Sequence, residues 1–170
     1  MTKIGKIALS ILVLGGIFIF SAAAQDYSTE NTAKEWTREK LQHIYFEHLV
    51  SEGFRPEIDE DGDVQFKVLG SNYFIIIDES DLNFFQVYTG FWLDDMMIED
   101  AYDLVNFANR RSKVAKISLS ISEFEPERLI VSITAELLVD HPEDFVFVFN
   151  RALSLLANAK SIFQAQLAKL

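Results

Sequence analysis

The sequence contains no cysteine, only three prolines and only three histidines among its 170 residues. Without cysteine, the chain cannot form a disulfide scaffold, a thiol nucleophile or a cysteine-ligated zinc or iron–sulfur site. Basic residues are also outnumbered, because 15 Lys and Arg stand against 26 Asp and Glu and give a net charge of -11. This charge repels phosphate backbones and anionic headgroups, so we expect no nucleic-acid partner and no electrostatic attachment to a membrane.

The apolar content shows that most of the chain folds. Hydrophobic residues make up 49% of the sequence and aromatic residues 13%, which is far above the composition of disordered proteins. The three histidines are His43, His48 and His141. His43 and His48 are separated by about 140° around a helix and do not match the i, i+4 spacing of a helical metal site. We therefore predict structural or surface roles for them.

The N-terminal segment has the pattern of a secretory signal peptide. Lys3 and Lys6 precede an apolar stretch at residues 7–20, and Ser21 and three alanines follow. A helix of that length measures roughly 21 Å, which is shorter than the ~30 Å hydrocarbon core of a bilayer. We predict a signal peptide at residues 1–24, a short polar tether at 25–31 and a single domain at 32–170, exported to a periplasm or secreted, without stable membrane insertion. An uncleaved N-terminal anchor is the alternative.

The first half of the domain changes from a helical to a strand pattern. Apolar residues recur at helical spacing between residues 32 and 51, and Gly53 follows, where glycine is expected just past a helix C-terminus. Residues 64–68 alternate between apolar and polar, with turn-forming glycines at Gly62 and Gly70. We predict a three-stranded meander at residues 55–78, which a further strand at 84–91 continues.

Two more helices and two more strands follow. The apolar stripe of the second helix consists of Ile98, Ala101, Tyr102, Val105 and Ala108. Alternating strands are predicted at residues 117–121 and 129–137, with a hairpin loop at 125–127 between them. The last and longest helix is predicted at residues 142–170, with Asp140 as its N-cap.

This order, α-β(3-4)-α-β-β-α, predicts an α+β fold with three helices on a mostly antiparallel sheet of five to six strands. One face of the last two strands carries hydroxyl side chains, at Ser118, Ser120, Ser122, Ser132 and Thr134. That face is too polar for a core, so we expect one side of the sheet to meet water or a partner.

No catalytic constellation emerges from the acidic clusters. In the acidic stretch at residues 59–63, glycine is fourth rather than sixth, and an alternating strand follows at once, so a hairpin turn is favoured over an EF-hand calcium loop. The clusters at 78–81, 94–95 and 99–100 flank strands or open a helix, where carboxylates are ordinary. No glycine-rich phosphate loop and no G-x-S-x-G motif is present. We predict no catalytic residue, cofactor or metal.

The most unusual segment is the strand at residues 84–93, where aromatic residues occupy both faces. Its aromatic members are our candidate partner-binding residues, Phe84, Phe85, Tyr88, Phe91 and Trp92. One face of this strand must enter the core, and the other needs a cover. That cover is either the first or third helix, or else a dimer contact or a groove for an extended segment of a partner.

Several segments resemble the YbjN-like bacterial family, whose members are sometimes labelled sensory transduction regulators. They lie at residues 52–59, 64–68, 73–78, 83–85, 105–106, 109–111, 113–116 and 142–145. The resemblance covers roughly residues 35 to 160 and implies the fold of type III secretion chaperones. Proteins of that fold are often dimeric, act in the cytosol and bind extended stretches of client protein. Since this chain carries an export signal, the secretion-chaperone role is not carried over, and the family offers no catalytic residue to transfer.

Together these observations predict an exported, non-enzymatic binding module of chaperone-like fold. Its partner is a protein or an extended peptide segment, which includes a second copy of the chain. The alternatives from the sequence are a carboxylate-based hydrolase, a calcium-binding envelope protein and a purely structural envelope protein.

Overall fold

The computed structural model of the chain describes residues 36–122, 125 and 128–170. The predicted signal peptide, the tether, the first residues of the predicted first helix and most of the loop at 125–127 lie outside these residues.

Helix α1 (Arg38–Ser51) begins at Thr37, whose hydroxyl accepts a hydrogen bond from the Lys40 N–H at 3.4 Å. An N-cap of this kind satisfies one of the amide groups that a helix start leaves free. The helix buries Leu41, Tyr45 and Leu49 along one stripe. Gly53 follows with φ of 88°, as predicted, and reverses the chain into the sheet.

One antiparallel sheet of six strands forms the body of the fold. The strands are β1 (Glu57–Ile58), β2 (Val64–Val68), β3 (Ser71–Ile76), β4 (Phe84–Leu93), β5 (Lys116–Ile121) and β6 (Leu129–Leu138). Their spatial order is β1-β2-β3-β4-β6-β5, and all neighbours are antiparallel. With the three α-helices found among the described residues, this confirms the predicted α+β class and the continuation of the meander into β4.

Helix α2 (Ile98–Asn109) connects β4 to β5 and buries Ala101, Leu104, Val105 and Ala108. Tyr102 was expected on this buried stripe, but its side chain is 51% exposed. Each residue turns the helix by about 100°, and the buried stripe passes through Leu104 instead. Tyr102 is therefore a surface residue.

Helix α3 (Phe145–Leu167) follows a 3-10 turn at Pro142–Asp144. The prediction that Asp140 is the N-cap is wrong, because a 3-10 turn precedes α3 and the N-cap of that turn is His141. The Asp144 carboxylate accepts a hydrogen bond from the His141 N–H at 3.2 Å. The carbonyl of Asp140 instead accepts from the Asn83 amide at 3.1 Å, which ties this start to the loop before β4.

The core lies between the sheet and the three helices and is rich in aromatic rings. Tyr45 of α1 contacts Phe145 of α3 at a centroid distance of 4.6 Å and Phe85 of β4 at 5.8 Å, both edge to face. Phe66 and Phe149 extend the cluster toward β2. Complete burial of such a side chain contributes about 1.5–3 kcal/mol. Because these rings lie on one face of the sheet, their burial favours packing of the helices on that face.

Candidate functional site

Strand β4 has one buried face and one open face. Phe85, Val87, Thr89 and Leu93 are buried toward the helices. The intervening side chains point to the opposite side of the sheet, which none of the helices described covers. We call this side the open face. On β3, β4 and β6 it consists of Phe74, Ile76, Phe84, Gln86, Tyr88, Gly90, Trp92, Ile130, Ser132, Thr134, Glu136 and Leu138.

The five predicted partner-binding residues are divided between the two faces. Phe85 is fully buried, with its ring 5.6 Å from that of Phe145. Phe91 packs on Phe163 of α3 at 5.6 Å. Both residues thus lie on the core face of the strand, where Phe85 is buried and Phe91 is partly exposed. None of the described helices covers the opposite face, for which the first or third helix was one of the predicted covers. Phe84, Tyr88 and Trp92 lie on the open face, where their part in binding stays a prediction.

Phe74 and Tyr88 form the centre of the open face. They are directly opposite each other on β3 and β4, and their ring centroids are 5.7 Å apart with an interplanar angle of 41°. The Tyr88 ring extends along its own strand over Gly90, because a Cβ atom at Gly90 would lie only 2.4 Å from the Tyr88 hydroxyl oxygen. The missing side chain therefore allows the ring to lie along the strand.

Trp92 marks the end of the open face near the β5–β6 hairpin. Its side chain is 43% exposed, and the Arg128 guanidinium lies 4.2 Å from the ring centroid. Arg128 is positioned by Asp94 at 2.8 Å and by Glu125 at 3.2 Å. The hydrogen bond to Asp94 and, secondly, that to Glu125 raise the pKa of Arg128. These contacts hold the cation on the indole and restrict its orientation.

The open face becomes polar toward β5. Ser118 lies opposite Ser132, and Lys116 lies opposite Thr134 and pairs with Glu136. The expected solvent-facing hydroxyl surface is confirmed for these residues but is wrong for Ser122, which is buried. Ser122 lies beyond the end of β5, where its hydroxyl accepts a hydrogen bond from the Glu125 N–H at 3.0 Å. It therefore belongs to the hairpin rather than to the surface.

The acidic stretch at residues 59–63 forms the predicted hairpin turn, and the cation that contacts it is the guanidinium of Arg38. Asp59 Oδ1 accepts hydrogen bonds from the Asp61 and Asp63 N–H groups at 3.1 and 2.9 Å. Arg38 of α1 donates to the Asp61 carbonyl and lies 3.5 Å from Asp63 Oδ1 and 2.9 Å from Glu79 Oε1. Because a guanidinium lies among these oxygens, the geometry does not favour a calcium ion there.

The Asp63 carboxylate of this turn has a raised pKa. Burial raises the pKa of Asp63, and a hydrogen bond from the Ile77 N–H at 2.9 Å opposes the increase. The negative charge of Asp59 raises it further, whereas Arg38 lowers it. This carboxylate therefore ties the start of β2 to the end of β3.

The remaining ionisable groups do not converge on a reactive centre within the described residues. Asp78 accepts hydrogen bonds from both the N–H and the hydroxyl of Ser80, and these lower its pKa. His48 lies between the rings of Phe145 and Phe149, at 5.0 and 4.9 Å. No three His, Asp or Glu side chains in the described ranges are placed to hold a metal ion. The hydrolase and calcium alternatives thus gain no support from this part of the chain.

Sequence reasoning missed several open-face residues. Phe74 alternates with buried residues in β3, a signal that the continuous apolar run at residues 73–77 obscures. Gly90 and Arg128 carry no local signal, because their roles depend on Tyr88 and Trp92, which they meet only in the fold. Among the described residues, no helix is both long enough and apolar enough to cross a membrane.

Comparison with known proteins supports the fold. Neither a protein-family model nor a curated protein matches this sequence. The fold is similar to the crystal structure of YbjN from E. coli, with a TM-score of 0.59 and 11% sequence identity, over 79% of this chain and 95% of that protein. At this identity the likeness concerns the fold alone. The α+β architecture is therefore YbjN-like.

Proposed function

We propose that the protein is an exported, non-enzymatic binding module whose open face holds a partner protein or an extended peptide segment. The observation that carries this proposal is the row of partly or largely exposed aromatic rings formed by Phe74, Tyr88 and Trp92. None of the helices described covers these rings. A contiguous apolar surface of this kind is typical of an interaction site.

The energetics favour a partner that covers the whole row. Complete burial of one large apolar side chain contributes about 1.5–3 kcal/mol, and neighbours already cover part of each ring, so a partner gains roughly 1 kcal/mol per ring. Further apolar contacts are available at the ends of the row, from Ile76, Phe84, Ile130 and Leu138. The adjacent hydroxyl groups, such as those of Ser132 and Thr134, supply hydrogen bonds at the rim.

A protein partner suits this surface better than a nucleic acid. The net charge of -11 opposes a polyanion, whereas an aromatic row with a hydroxyl rim has the composition of protein interfaces. YbjN of E. coli has been suggested to be a transcription regulator. A regulatory role for this chain through contact with another protein, rather than with DNA, is consistent with the open face.

Site-specific photo-crosslinking tests the proposal. Tyr88 is replaced by a photoreactive phenylalanine analogue in the exported protein, and Phe147 serves as the control because it is an aromatic residue, 82% exposed, on α3. We expect a discrete protein adduct from position 88 and none from position 147. The absence of an adduct at position 88, or the same adducts from both positions, would contradict binding at the open face. An adduct with a second copy would identify the partner as the chain itself.

Export is a separate part of the proposal. It rests on the basic, apolar and small-residue order of residues 1–24. We expect the mature protein outside the cytoplasm with Gln25 as its first residue, as measured by fractionation and N-terminal sequencing. A cytoplasmic protein that retains Met1 would contradict export without bearing on the open face.

A further inference from the structure

The turn between α2 and β5 carries an unusual concentration of positive charge. Four of the 15 basic residues of the chain lie within residues 110–116, and no acidic residue lies among them. We call this segment the basic corner. Its cations are Arg110, Arg111, Lys113 and Lys116. In a chain with a net charge of -11, such a local excess of positive charge attracts groups of the opposite sign.

Most of these cations are not neutralised within the described chain. Lys116 pairs with Glu136, but Arg110, Arg111 and Lys113 form no ion pair among the described residues and are exposed. The Arg111 guanidinium lies 3.6 Å from the Phe107 ring centroid and donates to the Phe107 carbonyl at 3.3 Å. Arg110 and Arg111 also complement the dipole of α2, which does not account for Lys113.

An apolar side chain lies at the middle of the basic corner. Val114 is 55% exposed and has φ of 67°, and the Ala115 N–H donates to the Lys113 carbonyl at 2.7 Å. This hydrogen bond and the positive φ form a γ-turn of a kind that is strained for a non-glycine residue. The turn presents Val114 to the solvent between Lys113 and Lys116.

The basic corner leads directly into the exposed edge of the sheet. β5 is an outermost strand, and the Asn109 side chain donates to the Ile117 carbonyl and accepts from the Ile117 N–H, both at 2.8 Å. At Ile117, the Asn109 side chain thus makes the two backbone hydrogen bonds that a neighbouring strand would make. By the alternation of an antiparallel ladder, the backbone groups of Leu119 and Ile121 face the same edge. No hydrogen bond to those groups comes from the described part of the chain.

We propose that this edge and the basic corner together bind an extended acidic segment of a partner protein. The segment pairs with β5 at Leu119 and Ile121, and Asn109 ends the pairing at Ile117. Carboxylates beyond that point then meet Lys113 and Arg110. Ile121, which is 52% exposed, receives an apolar side chain of the same segment. The site is separate from the open face and does not depend on an occupant there.

A peptide fits this site better than a nucleic acid or an anionic membrane. Screening limits the reach of exposed charges to about 8–10 Å at physiological ionic strength, so a short acidic segment responds mainly to the basic corner. Asp100 and Asp103 border the same surface pocket as Arg110, and a longer polyanion or a membrane would meet Glu99 as well. Neither of them can pair with the backbone of β5.

Fluorescence anisotropy of the full protein with a labelled peptide, Thr-Val-Thr-Val-Thr-Glu-Glu-Glu, tests the proposal. The double variant Arg110→Gln/Lys113→Gln is compared with Arg55→Gln/Arg151→Gln, which removes the same charge from exposed residues elsewhere. We expect affinity to fall about tenfold in the first variant and less than about twofold in the control, since specific charge contacts are lost only in the first. Equal losses in both variants would show that the basic corner does not contact the peptide specifically.

Three further probes address the other parts of the proposal. N-methylation of the peptide amides retains the charge but blocks strand pairing, so undiminished binding would overturn pairing at β5. A lysine-ended peptide, an oligothymidine of eight nucleotides or phosphatidylglycerol vesicles that bind as tightly would overturn the acidic-peptide specificity. A Trp92→Ser variant should retain the binding, because the open face is not involved. Its loss would overturn the separation of the two sites.

Discussion

Gly90 and Tyr88 show how a single residue shapes the open face. The Tyr88 ring occupies the space in which a side chain at Gly90 would lie, with a Cβ-to-hydroxyl distance of only 2.4 Å. The ring therefore lies along the strand over Gly90. The shape of this surface thus depends on the absence of a side chain at Gly90.

We predict that Gly90→Ala destabilises the protein by about 1 kcal/mol, because the Tyr88 ring must leave its position over the strand. In a Tyr88→Ala background the same substitution should be neutral or stabilising, since alanine restricts the unfolded chain more than glycine does. Urea denaturation of the four proteins in this double-mutant cycle measures the coupling. Equal costs in both backgrounds would show that the two residues do not interact.

Tyr45 links the stability of the core to pH. Burial raises the pKa of the Tyr45 hydroxyl above its ordinary value of 10.0. Above pH 10 the unfolded chain therefore releases this proton while the folded chain retains it, so stability falls as pH rises through that range, by up to about 1.4 kcal/mol per pH unit.

We predict that Tyr45→Phe loses less stability than the wild type between pH 10 and pH 11.5, as measured by urea denaturation. Tyr102→Phe is the matched control because the Tyr102 side chain is exposed. This control should follow the wild-type pH dependence. If Tyr45→Phe also followed it, Tyr45 would have to be accessible to solvent.

At the scale of elements, Arg38 joins α1 to two loops of the sheet. It contacts Asp61 and Asp63 in the β1–β2 turn and Glu79 in the β3–β4 loop. Gln42, one turn later in α1, donates to the Gly62 carbonyl at 2.6 Å. The same helix face thus holds the acidic turn in place through one charged and one neutral side chain.

We predict that Arg38→Gln lowers the free energy of unfolding by about 1 kcal/mol, because the ion pair with the partly buried Asp63 and the hydrogen bonds to the exposed Asp61 carbonyl and Glu79 are lost. Arg151→Gln, an exposed substitution on α3, should change it by less than about 0.5 kcal/mol. Thermal and urea denaturation provide the comparison.

A second measurement concerns calcium, which should not raise the Tm of the wild type if Arg38 fills the turn. A calcium-dependent increase in Tm would revive the calcium alternative.

The elements themselves could be predicted well because their patterns are local. Strict alternation predicts β2 and β6, and Gly53 marks the end of α1. The errors arise where a contact with a distant residue decides the outcome. The start of the α3 region depends on a 3-10 turn and on Asn83, and Ser122 is buried by the hairpin that contains Glu125. Neither effect has a signature in the local sequence.

The candidate site could be predicted only in part for the same reason. Alternation in β4 shows that Phe84 and Phe85 point to opposite faces, but it does not show which face receives the helices. That choice follows from the register of β4 against β6 and from contacts such as that between Phe85 and Phe145. The sequence therefore predicted the strand, and the fold divides its aromatic residues between the core and the surface.

At the scale of the whole molecule, the protein has all its described helices on one side of a sheet and an aromatic row on the other. The basic corner forms a second surface of different chemistry, because it is positive in a chain whose net charge is -11. The two surfaces predict two kinds of contact, one mainly apolar and insensitive to salt and one electrostatic and weakened by salt.

Co-purification with paired surface variants tests the open face most directly. Phe74→Ser/Trp92→Ser alters the open face, and Val146→Ser/Phe147→Ser alters exposed apolar residues on α3 to a similar extent. Both proteins are recovered from the exported fraction after crosslinking, and their Tm values are compared to establish that they are folded. We expect the open-face variant to lose the crosslinked partner and the α3 variant to retain it. Retention by the open-face variant, or loss by both folded variants, would show that the open face does not bind the partner.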